Sequence, residues 1–117
     1  MKYMLMIYVD EAGYAKASKE QVGQMMAAYG TWTEAMRKAG VFVAADRLEP
    51  AATAATVRAG GPKGKVLDGP YADTKEQLGG FYILNVPDRA AALSWAAQCP
   101  SLAAGNGSVE VRPVMAM

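Results

Sequence analysis

Residues 2–10 read KYMLMIYVD, an apolar stretch that ends at an acidic residue. Alternate side chains of a β-strand face opposite sides. Here both sets are apolar: Tyr3, Leu5, Ile7 and Val9 on one face, Met4, Met6 and Tyr8 on the other. An antiparallel sheet that meets water on one side alternates toward polar residues on that side, and this strand does not. The stretch therefore predicts a sheet that is covered on both faces.

A long helix is predicted to begin after Ser18. Ser18 and Gln21 have the spacing of a capping box, and Glu20 suits the positive end of a helix dipole. The predicted helix ends at Gly40, after two basic residues. Its predicted buried stripe recurs at intervals of three and four and consists of Val22, Met25, Met26, Tyr29, Trp32, Met36 and Ala39.

The rest of the chain predicts three more strands, a hairpin and a second helix. The strands cover 41–45, 81–86 and 108–114, and in the hairpin TAATVR (53–58) and KVLD (65–68) flank the loop AGGPKG. Asp88 caps a helix over 89–98 with Leu93 and Trp95 as its bulky residues, and Cys99-Pro100 ends it. Pro113 places the last strand at an edge. This order matches a ferredoxin-like split βαβ plan with an inserted β-hairpin, an α+β fold in one domain over residues 1–117.

The predicted packing of this plan has a consequence for assembly. Both helices cover one side of the sheet, so the second apolar side of the first strand and of the 81–86 strand needs another cover. A second copy pressing sheet against sheet is the simplest cover. We therefore expect a homodimer.

Composition excludes several classes of protein. Of 117 residues, 12 are basic and 11 acidic, a net charge of +1, which argues against nucleic-acid binding. No apolar run approaches the roughly 20 residues of a membrane span, and we see no export signal. One cysteine permits no internal disulfide, and we expect a cytoplasmic protein. The absence of histidine removes the usual general base and the commonest metal ligand.

The stretch LDGPYADTKEQLGGFYIL, residues 67–84, carries the densest polar chemistry. Asp68-Gly69-Pro70 is typical of a turn. Asp73 and Glu76 have capping-box spacing around one short helical turn, which Gly79-Gly80 would end. One interpretation is that these acids only cap backbone amides. The other is that they bind a small polar molecule together with Lys75.

The same stretch supports a resemblance. DGPYADTKEQLGGFYIL, with KYMLMIY at the start, AMRKAGV, LSWAAQCP and VEVRPV, resembles the DGPF subgroup of YCII-related proteins over nearly the whole chain, with Tyr71 in place of the Phe. The resemblance implies a dimeric α+β barrel, in which two ferredoxin-like sheets face each other and enclose pockets. It also implies a bacterial cytoplasmic protein, and it implies no settled reaction.

Some YCII-related proteins carry a His on the first helix and an Asp just before the Pro that follows the second helix, a pair suspected of catalysis. Counting from Gly40 and from Trp95 places these positions at Tyr29 and Cys99. A dyad that works by imidazole proton transfer cannot operate with these residues. Tyr29 and Cys99 could still line one cavity, although a core tyrosine and a small buried cysteine are the more ordinary interpretations.

Two classes of function remain. The first is a small enzyme or ligand-binding protein with a mainly apolar pocket at the dimer interface, in which Asp68 or Glu76 acts as a carboxylate base. Its predicted ligand-binding residues are Tyr8, Tyr29, Trp32, Tyr71, Asp73, Lys75, Phe81, Glu110 and Arg112. The second is a non-catalytic regulatory or sensor module, since some DGPF relatives are linked to alternative sigma factors. Asp10 and Glu11 add carboxylates but no recognised metal spacing, so neither a metal nor a cofactor is predicted.

Overall fold

The computed structural model describes residues 1–60, 64–71 and 74–117. In chain order the elements are β1 (Lys2–Val9), α1 (Glu11–Ala15), α2 (Lys19–Lys38), β2 (Phe42–Arg47), a 3-10 turn (Ala51–Thr53), β3 (Ala55–Arg58), β4 (Lys65–Asp68), β5 (Gln77–Asn85), α3 (Arg89–Ala96), α4 (Pro100–Ala103) and β6 (Ser108–Pro113). This part of the chain confirms the predicted α+β class, with an antiparallel sheet and four α-helices. None of the described helices is long and apolar enough to cross a bilayer.

Four strands form the main sheet in the order β2-β5-β1-β6, and neighbouring strands are antiparallel. β6 is an edge strand, as Pro113 predicts. Among the described residues, β3 and β4 pair only with each other, with Val57 opposite Val66, as in the predicted hairpin. We call residues 54–60 and 64–71 the arm.

The predicted capping of α2 is confirmed. The Ser18 side chain accepts a hydrogen bond from the Gln21 amide at 3.1 Å, and the Gln21 side chain accepts one from the Ser18 amide at 2.9 Å. Gly40 follows the helix with a φ of 74°, a conformation that other residues adopt at a cost.

The predicted buried stripe of α2 is confirmed only in its middle. Trp32 and Met36 are buried and Met25 and Tyr29 are half-buried, but Val22, Met26 and Ala39 are exposed. The Trp32 indole donates to the Trp95 carbonyl oxygen, and Tyr29 contacts the loop after α3. A helical period therefore marks a stripe without saying how much of it the rest of the chain covers.

The second helix, α3, faces the core mainly with its small side chains. Its Asp88 cap is confirmed, because this side chain accepts a hydrogen bond from the Ala91 amide at 2.9 Å. However, Ala92 and Ala96 face the core, while Leu93 is exposed. Residues four apart share a helix face, and two small side chains there allow close packing on the sheet.

Residues 74–76, the described part of the segment before β5, do not form a helical turn, and the two glycines that follow do not end one. Residues 75 and 76 form a bend, and β5 already begins at Gln77, so Gly79 and Gly80 lie inside a strand. A Cβ on Gly80 would lie 2.8 Å from the Asp46 carbonyl oxygen, so glycine here permits the close approach of β2. Asp73, the other half of the predicted capping box, lies outside the described residues.

Two short helices escape prediction. α1 has only five residues, too few for a period to be read, and it contains Gly13. α4 begins with Pro100, which indicated a stop for the preceding helix but also suits the first position of a new one.

All four helices leave one face of the main sheet uncovered. Buried residues of β1, β5 and the helices form a single core, which includes Tyr3, Leu5, Ile7, Trp32, Met36, Tyr82, Leu84, Ala92 and Ala96. The alternate residues of β1 and β5 point to the other side of the sheet and are half-buried. We call that side the open face.

The arm and the open face give the chain a flat outline. The radius of gyration is 15.9 Å, against about 13 Å for a compact domain of this length. The shortest of the three dimensions is 17 Å, which corresponds to one sheet and one layer of helices. The layer that the sequence predicts on the second face of the sheet is thus not supplied by the described part of this chain.

Candidate functional site

The open face carries an apolar row across its two central strands. Met4 lies opposite Ile83, and Met6 lies opposite Phe81. Tyr8 extends the row at the end of β1, after a bulge in its pairing with β5. All five side chains are half-buried. The row is therefore a continuous apolar surface that no element of the described chain covers.

Charged side chains border this row on the edge strands. On β6, Arg112 lies opposite Met4 and Glu110 lies opposite Met6, with 3.9 Å between the Arg112 Nε and a Glu110 carboxylate oxygen. On β2, Asp46 lies opposite Phe81. Because both members of the Glu110–Arg112 pair are well exposed, their attraction adds little to stability.

Glu76 lies at the end of the open face where β1 finishes. Its carboxylate accepts a hydrogen bond of 2.7 Å from the Ser108 hydroxyl, and Ser108 lies opposite Tyr8. The half-buried Glu76 is thus held through this hydrogen bond beside the end of the apolar row.

A separate polar cluster lies on the other side of the sheet, where α1, α2 and α4 meet. The Tyr29 hydroxyl is 2.6 Å from the Ser101 hydroxyl and 3.4 Å from the Cys99 sulfur, and the Tyr14 hydroxyl is 2.9 Å from Ser101. Ser101 and Cys99 are fully buried. These four groups satisfy one another and hold the three helices together.

Burial raises the pKa of the Tyr29 phenol well above its ordinary value. The contact with Cys99 raises this pKa further, while the hydrogen bond from Ser101 opposes the shift. Tyr29 is therefore a neutral phenol at physiological pH. It can donate or accept a hydrogen bond but cannot act as a base.

An open cleft of about 460 Å³ lies near the end of β1. Its polar lining includes Asp10, Glu11, Lys75 and Gln77. Both acids already have local partners: Asp10 caps α1 through the Ala12 amide, and the Glu11 carboxylate accepts from the Ala51 amide at 2.9 and 3.2 Å. Among the described residues, no group of three His, Cys, Asp or Glu side chains could hold a metal ion. The cleft acids therefore connect α1 to the 3-10 turn.

Comparison of the sequence with models of protein families shows which family this chain belongs to. The model of the YCII-related domain matches residues 1–117. The chain belongs to the YCII-related family.

One YCII-related relative is similar over most of its length. It is an uncharacterised protein of Rhizobium meliloti (strain 1021), 35% identical over 114 residues, which cover 97% of this chain and 92% of that protein. A similar solved structure is the 5-chloro-2-hydroxyhydroquinone dehydrochlorinase (TftG) of Burkholderia phenoliruptrix AC1100 in complex with 2,5-dihydroxybenzoquinone. It has a TM-score of 0.54 and 17% identity, over 100% of this chain and 96% of that one. At this identity the likeness shows the fold.

Tyr29 and Cys99 are in direct contact in this YCII-related chain. The sequence count predicts that they stand where some relatives carry a His and an Asp, and the Tyr29 hydroxyl lies 3.4 Å from the Cys99 sulfur. The raised pKa of Tyr29 keeps its phenol protonated at neutral pH, and Cys99 is sealed from solvent. In this chain the pair is part of the closed cluster between the helices.

Four of the aromatic residues predicted to bind a ligand lie on two sides of the sheet. Tyr8 and Phe81 belong to the open face. Tyr29 and Trp32 lie between α2 and the sheet, with their ring centroids 5.9 Å apart. They therefore do not line one cavity within this chain.

The remaining predicted residues divide between the arm and the cleft. Asp68 and Tyr71 lie on the arm and are exposed, and the Arg58 guanidinium lies 5.0 Å from the centre of the Tyr71 ring. Lys75 lines the cleft, away from Glu76 on the open face. Asp73, the last of the predicted residues, lies outside the described residues.

Sequence reasoning missed the hydroxyl cluster, because Tyr14 and Ser101 lie on the two short helices that were not predicted. A local signal for α1 did exist, since Asp10 followed by Glu11 is a typical helix start. No comparable signal identifies Ser101, because its partners come from distant parts of the chain.

Proposed function

We propose that this YCII-related chain forms a homodimer and binds a small organic molecule in a chamber between the two open faces. The observation that supports the proposal is the apolar row of Met4, Met6, Tyr8, Phe81 and Ile83, bordered on both sides by charged residues. A soluble chain gains from covering such a surface, and a second identical surface is self-complementary across a two-fold axis.

The architecture we propose is a ferredoxin-like sheet in each copy, paired with its twin as a dimeric α+β barrel. The strand order β2-β5-β1-β6 and the helices packed on one face of the sheet support this proposal. Facing sheets pack about 10 Å apart, which leaves room for a small molecule where side chains on both sides are short or displaced. We further propose a cytoplasmic protein of the DGPF subgroup, on the sequence Asp68-Gly69-Pro70-Tyr71.

The chemistry of the open face suits a ligand with an apolar body and at least one polar oxygen. Methionine and aromatic side chains would enclose the body. The Arg112 guanidinium would donate hydrogen bonds to a carbonyl, carboxylate or phenolate oxygen, and Glu110 would accept one from a hydroxyl. The quinone bound by the similar dehydrochlorinase is a molecule of this kind.

Of the two carboxylates expected to act as a base, Glu76 is the one held beside the chamber, through its hydrogen bond to Ser108. We assign proton abstraction from a bound hydroxyl or C–H group to Glu76 within this proposal. Asp68, on the exposed arm, could act there only if the arm reaches the chamber of either copy.

Ligand binding is tested by calorimetric titration with a panel of small phenols, aromatic acids and quinones that includes 2,5-dihydroxybenzoquinone. We expect at least one member to bind the dimer, and Arg112→Gln to weaken that binding at least about tenfold, or about 1.4 kcal/mol. The matched control is Arg89→Gln, an exposed arginine on α3. No binding across the panel, or equal weakening by both variants, contradicts the proposal.

A regulatory or sensor role, with a partner linked to an alternative sigma factor, is the second candidate. The observation in its favour is the outward position of the Tyr71 ring, which is 71% exposed. This role expects Tyr71→Ala to abolish capture of a protein partner and to leave small-molecule binding unchanged. If the variant changes neither, this candidate fails.

A further inference from the structure

The short helix α1 is packed more lightly than the other helices. Each of its five residues is exposed or half-buried, whereas α2, α3 and α4 each bury at least one residue. A helix of this length is not stable without contacts from outside it. Gly13, in its middle, lowers its helix propensity further. The position of α1 therefore depends on a few individual hydrogen bonds.

The first end of α1 is held by several of these bonds. The Asp10 amide donates to the Asn106 side-chain oxygen at 2.9 Å, and the Asn106 side-chain amide donates to the Asp10 carbonyl oxygen at 3.3 Å. The Glu11 amide donates to the Gln77 side chain at 3.2 Å, and the Glu11 carboxylate accepts from the Ala51 amide. Hydrogen bonds to a carboxylate are stronger than those between neutral groups. This end of α1 is thus firmly attached.

The other end of α1 is held by a phenol. The Tyr14 hydroxyl lies 2.9 Å from the Ser101 hydroxyl. A hydrogen bond between two neutral groups stabilises a fold only modestly, because water can replace it. If Tyr14 moves away, Ser101 keeps its 2.6 Å contact with the Tyr29 hydroxyl. Separation at this end therefore leaves Ser101 with a partner.

The groups beneath Tyr14 are sealed from solvent. Ser101 is 1% exposed and Cys99 is fully buried. Contacts run without a break from Tyr14 through Ser101 and Tyr29 to Cys99. The side chain with which α1 covers this cluster is itself only half-buried. A buried thiol and a buried hydroxyl thus lie under a segment that little apolar packing holds in place.

We propose that α1 is a lid over Tyr29, Cys99 and Ser101, which opens by release of Tyr14 while Asp10 and Glu11 stay attached. The structure shows the closed state. Opening gives water and small polar solutes access to the Ser101 hydroxyl and the Cys99 thiol. Local openings of this kind cost less free energy than global unfolding. The inference goes beyond the proposed function and does not depend on it, since the lid lies on the helix side of the sheet.

The test is the rate at which iodoacetamide alkylates Cys99 in the wild type, followed by mass spectrometry at a fixed pH. Cys99 is the one cysteine of the chain, so alkylation reports on this site. We expect the rate to exceed at least tenfold the rate that global unfolding allows, and to change little at low urea, because the opening exposes little surface. A rate at or below the limit set by global unfolding overturns the proposal.

A pair of tyrosine variants tests whether release occurs at Tyr14. Tyr14→Phe removes the hydroxyl that contacts Ser101, so it should raise the alkylation rate at least about threefold. Tyr71→Phe, on the exposed arm, should leave the rate unchanged. Each rate is compared with the global unfolding limit of the same variant, so that a general loss of stability is not mistaken for opening. Equal rates for Tyr14→Phe and the wild type contradict release at Tyr14.

A pair of glycine variants tests the lid in the opposite direction. A Cβ on Gly13 would lie 3.4 Å from the Asn106 side-chain nitrogen, so alanine fits there and should strengthen α1. Alkylation of Gly13→Ala should be about two- to fivefold slower than that of the wild type. Gly23→Ala makes the same change in α2, where a Cβ meets nothing within 4 Å, and it should leave the rate unchanged. If both variants slow alkylation equally, the thiol is reached through global unfolding and α1 is not a lid.

Discussion

Ser101 is buried and hydrogen-bonded to two tyrosines from two different helices. Its neighbours in sequence give no hint of this, since a serine after Cys99-Pro100 is predicted as part of a loop. The cluster it forms with Tyr14, Tyr29 and Cys99 includes the two positions, Tyr29 and Cys99, at which the sequence count predicts the suspected catalytic pair of some relatives. Here these side chains contact one another between the helices, which is a structural role.

Replacing Ser101 by alanine should destabilise the protein by about 1–3 kcal/mol, because two buried phenol hydroxyls lose a partner. Chemical denaturation measures the change. Ser94→Ala, at an exposed position of α3, should stay within about 0.5 kcal/mol of the wild type. Equal stability of Ser101→Ala and wild type would show that the cluster does not hold the helices together.

The raised pKa of Tyr29 predicts a dependence on alkaline pH. In the unfolded chain this phenol loses its proton near the ordinary value of 10.0, whereas the folded protein retains it. The contribution of Tyr29 to the free energy of unfolding is therefore fully present below pH 10.0, and it declines as the pH rises above that value.

Denaturation at several pH values above neutrality measures this effect. Tyr29→Phe should make stability fall less steeply with pH in the alkaline range than in the wild type. Tyr71→Phe, which alters an exposed ring, should leave the slope unchanged. Identical slopes in all three proteins would contradict the assignment.

At the scale of helices and strands, local sequence signals predicted the helix ends, because a helix cap depends on residues that are close in sequence. Both ends of α2 and the cap of α3 follow from Ser18, Gly40 and Asp88. The sequence did not predict the early start of β5, because Gly79-Gly80 is typical of the end of a helix or strand. The close approach of β2 explains why Gly80 lies inside a strand. The distribution of aromatic residues over the two sides of the sheet also depends on how α2 packs, which no local pattern encodes.

The turn before β6 offers a matched pair of glycines. Gly105 and Gly107 both have positive φ, 75° and 93°, so alanine is strained at either. A Cβ on Gly105 meets nothing within 4 Å, whereas one on Gly107 would collide with the Tyr8 carbonyl oxygen.

Gly105→Ala should therefore destabilise the protein by about 1–2 kcal/mol, the usual cost of a left-handed residue. Gly107→Ala should cost more than about 4 kcal/mol, because β1 and the turn must also separate. Thermal or chemical unfolding of the two variants gives the difference directly. If both lose the same stability, the close contact between this turn and β1 is not formed.

At the scale of the whole molecule, the apolar residues on both faces of KYMLMIYVD predicted a sheet with two apolar sides. Met4, Met6 and Tyr8 do lie on a face that the helices leave open. The α+β class and the YCII-related family are likewise readable from the sequence and agree with the structure and the family match. The sequence could not show that the polar segment divides, with Glu76 beside the open face and Asp68 on the arm. That division depends on where the hairpin projects from the sheet.

Sedimentation equilibrium of the wild type and of Met6→Lys tests the dimer through the open face most directly. At micromolar concentration the wild type should have twice the 12.4 kDa mass of one chain. The variant places a charge in the middle of the apolar row, so it should remain folded and sediment as a single chain. A wild type that stays at 12.4 kDa, or a Met6→Lys protein that dimerises equally well, would contradict the account.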